Sequence, residues 1–261
     1  GVKEQDGFDI EVTYAVTGFQ EARLQSQYID KAVNDKADGI IVSPINADNV
    51  RRAIDRAADV GIPVITTDAD IDGSRRTCCV SIDSARASRI AGRLMGQFLD
   101  GKGKIAIISS AVSSENNNYY VQMREHGFTD FLQREYPQVE IVSCIESFEN
   151  PQITYEKTMQ LLRDEPELRG IYITCGGVAQ VGRALIESGR ADSVRVLCYE
   201  NYPEIVELMR QGVIDWTLGG DKAQQGALPV KLIMDELVFG RKPATDRIYT
   251  DTRILVKECF A

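Results

Sequence analysis

Residues 37–68, ADGIIVSPINADNVRRAIDRAADVGIPVITTD, restrict the fold more than any other stretch. An Ile/Val run at 39–43 reads as a strand, and 48–60 reads as a helix with Val50, Ile54 and Ala58 on one face. Gly61 stops that helix, and a second strand follows at 64–68. Strand, helix, strand is a βαβ unit, which requires parallel strands and a right-handed crossover. Ser43 and Asp68 fall at the carboxyl ends of the two strands, where open α/β sheets hold their ligands.

The alternation continues. Strands are expected at 79–83, 105–109, 140–144, 170–174, 194–199 and 215–218, and helices at 84–99, 119–135, 153–162, 178–188, 203–210 and 221–239. In the helix after 83, Ala87, Ile90, Ala91, Leu94 and Phe98 recur at helical spacing. Residues 247–256 read as a terminal strand pair. Residues 1–8 look like the end of a helix, and 10–15 like the first recognisable strand, so an opening strand and most of a helix are expected to be missing. The segments differ too much for a solenoid. Two doubly wound lobes joined near residue 103, at the Gly101-Lys102-Gly103 break, fit better.

Composition limits the function. A net charge of −9 and a pI near 4.8 make the chain by itself a poor nucleic-acid binder. Its longest apolar runs fall well short of a membrane span, and no signal peptide is visible. The six cysteines, Cys78, Cys79, Cys144, Cys175, Cys198 and Cys259, lack metal-ligand spacing and suit reduced, structural thiols in a cytoplasmic protein. One or two disulfides in an exported binder are the alternative. No metal and no cofactor is expected. There is no G-x-G-x-x-G after a first strand, no P-loop and no G-x-S-x-G elbow, and the single His126 has no nucleophile beside it. Catalysis is therefore not expected.

Seven segments in order resemble the type I periplasmic-binding-protein superfamily: DGIIVSPINAD, IPVITTD, VSIDSARASRIAGRLM, REHGF, GIYITCGGVAQVGRAL, VRVLCYEN and LGGDKAQQG, closed by RILVKE. That superfamily includes ribose-binding proteins and the effector domains of lactose-repressor-type regulators. The resemblance implies two Rossmann-like lobes joined by a three-strand hinge with crossings near Gly103, Gly220 and Asp251. The lobes would be 1–103 with 221–251, and 104–220 with 252–261.

It also implies ligand positions. Asp68 matches the family's acidic residue after its third strand, and Asp83-Ser84 matches the pair that opens the next helix. Arg124 matches an arginine that reaches sugar hydroxyls. Glu200 stands where an aspartate is usual, Thr174-Cys175 where Asn-Asp is usual, and Gly220 where a glutamine is usual.

Each role has a plainer competitor. Asp83 suits a helix cap, and Arg124 a surface pair with Glu125 or Asp130. Gly176-Gly177 offers backbone N–H groups to an anion or sugar oxygen, or is simply a tight turn. Tyr119, Tyr120, Tyr202 and Trp216 are candidate stacking faces, Trp216 being the best placed for the core.

The resulting expectation is the effector domain of a lactose-repressor-type regulator in the cytoplasm. It would bind a small carbohydrate effector, pair as a homodimer and act on operator DNA through an upstream helix-turn-helix module, with no membrane involved. The alternative is an exported solute-binding protein serving a sugar transporter or a sensor.

Overall fold

The structure, a computed structural model, describes residues 8–18, 21–110 and 119–260. Along the chain run α1 (Ala22–Asn34), β1 (Ile40–Val42), α2 (Asp48–Asp59), β2 (Val64–Thr67), β3 (Cys78–Ile82), α3 (Ser84–Phe98) and β4 (Lys102–Ser109). Then come α4 (Tyr119–Glu135), β5 (Gln138–Glu146), α5 (Pro151–Asp164), β6 (Leu168–Ile173), α6 (Val178–Glu187) and β7 (Arg195–Tyr199). The last are α7 (Pro203–Arg210), β8 (Trp216–Gly220), α8 (Lys222–Phe239), β9 (Arg247–Thr250) and β10 (Thr252–Leu255). These elements form two compact units, Gly1–Ile82 with Gly220–Asp251, and Asp83–Gly219 with Thr252–Ala261. Both are α/β.

In the first unit the sheet order is β1-β2-β3-β9, every neighbouring pair parallel. Alternate residues of β2 face opposite layers. Val64 joins Ile29, Val50 and Ile54 from α1 and α2, whereas Ile65 joins Leu232 and Ile233 from α8. In the second unit the order is β10-β8-β7-β6-β4-β5. Its core packs Ile171, Ile173 and Val196 against Val181, Leu185, Ile205 and Met209. Each such fully buried side chain contributes about 1.5–3 kcal/mol.

Three expectations change. Residues 10–15 form no strand: β1 is the edge of its sheet, and Val12 and Tyr14 lie open to solvent. An extended segment with no ladder partner leaves its backbone groups to water. The first passage between units falls at Ile82/Asp83 rather than near Gly103. The reason is that α3 belongs with α4: Gly92 and Gly96 let Phe131 and Tyr136 approach so closely that any Cβ would collide with the rings. Finally, the terminal strands do not pair with each other. Only Asp251 separates β9 from β10, and they extend different sheets. The expected helix end at 1–8 lies, up to residue 7, outside the described residues.

Candidate functional site

In the second unit the carboxyl ends of β4, β5, β6 and β7 gather the polar groups. Arg124 reaches them from α4 and donates from Nη1 to the Thr174 carbonyl at 2.9 Å. Its guanidinium lies over the Tyr199 ring, 3.8 Å from the centroid. Its Nε is buried without a hydrogen-bond partner, so a guanidinium with five donors retains capacity for a hydroxylated ligand. The pairing with Glu125 or Asp130 considered from sequence is not what holds it.

Thr174 is fully buried and donates from Oγ1 to the Ile108 carbonyl at 3.2 Å, which ties β6 to β4. Cys175 follows, its thiol 3.3 Å from the Gly176 carbonyl and 3.6 Å from Ser147 Oγ. Burial pushes that thiol up to about 12, so it stays protonated and is a weak donor. Glu149 Oε2 would lie 3.0 Å from a Cβ on Gly176, so a carboxylate already faces this turn. Gly177, at φ 94, opens α6 with no side-chain cap.

Backbone strain marks the same edge. Glu200, directly after β7, has φ 75, and Phe148 and Glu149, directly after β5, have φ 52 and 53. Bulky non-glycine residues seldom adopt this region, and each instance costs about 1–3 kcal/mol. Glu200 is pinned by its N–H donating to the Leu218 carbonyl at 2.9 Å and by Thr217 Oγ1 donating to its own carbonyl. Phe148 N–H donates to the Ser110 carbonyl at 2.7 Å, and the Phe148 ring remains exposed. Phe148 and Glu149 were missed in the sequence, where only a break between strand and helix is visible.

The first unit contributes Asp68, also left-handed at φ 61, at the end of β2. Lys222, from the first turn of α8, approaches Asp68 Oδ1 at 3.3 Å, a partner that sequence separation concealed. Gly220 has a packing role: a Cβ there would meet Gln225 Nε2 at 2.6 Å and Ile82 Cγ2 at 2.7 Å.

Asp83, in the second unit, accepts the Arg86 N–H at 2.9 Å and caps α3, and Ser84 is buried in the first turn with its Oγ unpartnered. Tyr119 begins α4, and its side chain lies outside the described residues. Tyr120 is buried, Tyr202 is exposed at the start of α7, and Trp216 is core, 3.9 Å from Phe98. Among the described residues no cluster of metal-ligating side chains occurs, and no helix is long and apolar enough to cross a membrane.

Donors, acceptors and an exposed ring at strand ends suit reversible binding of a hydroxylated molecule. The family described as periplasmic binding protein domain matches residues 3–242, and the chain belongs to it. The D-ribose/D-allose-binding protein of Pseudomonas aeruginosa is 20% identical, over 93% of this chain and 76% of its own. The D-allose-binding periplasmic protein of Escherichia coli is 22% identical, over 85% of this chain and 73% of its own.

Among solved structures, a solute-binding protein of an ABC transporter from Burkholderia graminis, in complex with D-arabinose, superposes with a TM-score of 0.87. It is 22% identical and covers 94% of this chain and 84% of its own. GanP, a glucose-galactose binding protein from Geobacillus stearothermophilus, gives 0.79 at 27% identity, over 89% and 81%. These relatives are solute-binding proteins, not transcription regulators. The expectations of a repressor effector domain, a homodimer and operator DNA therefore lack support.

Proposed function

We propose that this chain is the sugar-binding part of an exported solute-binding protein that serves an ABC transporter. Arg124 carries the reading: a guanidinium fixed by a carbonyl and an aromatic face, with a buried N–H still unpartnered. It is the donor for sugar hydroxyls in the second unit, with the strand-end carboxylate of Glu200 as an acceptor there, while Asp68 is the candidate acceptor of the first unit. The exposed Phe148 ring offers a stacking face. Cys175 stays in the proposed lining, while Asp83, Ser84 and Thr174 shape the backbone of the second unit and Gly220 that of the first. The names of the relatives above favour transport over regulation and an exported over a cytoplasmic setting.

The test is a thermal-shift and calorimetric titration with D-ribose, D-allose, D-arabinose, D-glucose and D-galactose. A sugar at about 100 times its Kd stabilises the protein by about 2.7 kcal/mol, a readily measured rise in melting temperature. Arg124→Ala is expected to weaken that sugar at least tenfold. A folded wild-type protein indifferent to all five sugars would count against the proposal.

A further inference from the structure

The contacts proposed for the sugar leave a buried hydroxyl pair without a task. Tyr172 on β6 is fully buried, and its hydroxyl lies 2.7 Å from that of Tyr199 on β7. The Tyr172 ring stacks on Phe128, with centroids 4.1 Å apart and planes at 23°. The Tyr199 ring in turn lies beneath Arg124. Phe128 and Arg124 are four residues apart on α4 and so share one face of that helix. The contacts make a closed circuit that leaves α4 at Phe128, passes through Tyr172 and Tyr199, and returns to α4 at Arg124.

We propose that Tyr172 is a positioning residue for the sugar-binding arginine. Through its hydroxyl it fixes the plane of the Tyr199 ring, and that plane fixes the Arg124 guanidinium. The proposal rests on the reading of Arg124 as a ligand donor. A cation over an aromatic face is held by the ring quadrupole, so tilting the ring moves the charge. Side-chain rotation about χ1 and χ2 alone would let an untethered Tyr199 tilt, and the hydroxyl bond is what opposes it. Burial raises both phenols, so the pair stays an uncharged O–H···O contact through the physiological range. A phenylalanine at 199 would have packed the same space. It would also have left the buried Tyr172 hydroxyl unpaired and the ring at 199 without a polar tether.

The experiment compares Tyr172→Phe, Tyr199→Phe and the double variant with wild type. One readout is the affinity for the sugars of the same panel. The other is the Arg124 Nε–H resonance in the free protein, assigned by its loss in Arg124→Lys and shifted by the current of the ring beneath it. In Tyr172→Phe the Kd is expected to rise about tenfold and the resonance to move toward its value in an unstructured chain. The double variant removes both hydroxyls and leaves no orphan, so it should regain melting temperature while keeping the weakened binding. A Tyr172→Phe protein that melts lower, yet binds with unchanged Kd and shows an unmoved resonance, overturns the proposal in favour of a purely structural pair. If wild type binds none of the sugars, the sugar reading fails, and the resonance alone decides whether Tyr172 orients Arg124.

Discussion

Asp70 sits two residues beyond the strained Asp68 and does a different job. Its side chain is 1% exposed, and Arg76, itself 7% exposed, grips it through Nε and Nη2. Thr66 Oγ1 donates to it at 2.8 Å, and Arg247 Nη2 of β9 lies 3.1 Å away. Burial alone would raise this carboxyl, but the hydrogen bonds from Arg76 and Thr66 and the Arg76 charge outweigh it and hold the pKa below the ordinary value. A depressed carboxylate stabilises the fold at neutral pH. That stabilisation fades as pH falls below about 4 and is lost once the carboxyl protonates in the folded protein.

Asp70→Asn strands the buried Arg76 charge and should cost about 3 kcal/mol at pH 7. Urea denaturation at pH 7, 4 and 3 checks this: the gap between variant and wild type must narrow on acidification. A gap that does not change with pH would assign the loss to packing instead.

Strand-end acids such as Asp68 and Glu200 are legible in a sequence, because a carboxylate closing an Ile/Val run needs a reason. Their left-handed backbones are not legible, since φ is set by loops folding over them. Glu200→Gly relieves that strain, offset in part by glycine's greater freedom when unfolded, and should stabilise by about 0.5–1 kcal/mol. The same change removes a proposed acceptor, so sugar affinity should fall while the denaturation midpoint rises. A variant that loses stability would mean that Glu200 is not strained.

Among elements, α3 shows how a periodic pattern can name a helix and miss part of its face. Of Ala87, Ile90, Ala91, Leu94 and Phe98, which the spacing picks out, Ala87 and Ala91 are buried, but the stripe continues through Ser88, Gly92, Met95 and Gly96 rather than through Leu94 and Phe98. Phe98 is instead 47% exposed. Close approach of α4 selects small residues, a preference that a search for large apolar side chains ranks backwards.

Gly96 carries the sharpest consequence: a Cβ there would lie 2.3 Å from the Tyr136 ring. Gly96→Ala should destabilise by about 1–3 kcal/mol despite alanine's better helix propensity. Adding Tyr136→Ala should cost less than Tyr136→Ala alone, because the two sites share one collision. Strict additivity in denaturation experiments would place the helices further apart than described. The expected strand at 10–15 illustrates the opposite limit. Its alternation is strand-like, yet a strand exists only through its neighbours, and β1 does not pair with it.

At the level of the whole molecule, the order of strands and helices was readable because each short Ile/Val run and each amphipathic stretch is local. The allocation of α3 to the second unit was not, because contact with α4 decides it. The thiols pose the question of compartment. All six cysteines are free, with Cys78, Cys79 and Cys198 fully buried. Burial first of all pushes Cys78 to about 11 and Cys144, Cys175 and Cys198 to about 12, where little thiolate forms. Such thiols survive an oxidising compartment through inertness, which reconciles them with the proposed export. In a titration with a thiol-reactive dye, Cys259 should react promptly in the native protein and Cys144 slowly, with six reacting after denaturation. Rapid native labelling of four or more would remove that reconciliation.

The interleaving of the two units also sets a timetable for synthesis. Residues 83–219 are continuous and supply five of the six strands of their sheet. The first unit, although begun earlier, lacks β9 and the α8 side chains Leu232 and Ile233 that cover Ile65, Cys78 and Val80. At ribosomal speeds of about 5–20 residues per second, its three-stranded sheet waits about 10–30 seconds with β3 as a bare edge. Both units close only near the end of these residues, but the sheet begun first waits longest for its final strand, and β3 is the edge a chaperone has most cause to cover.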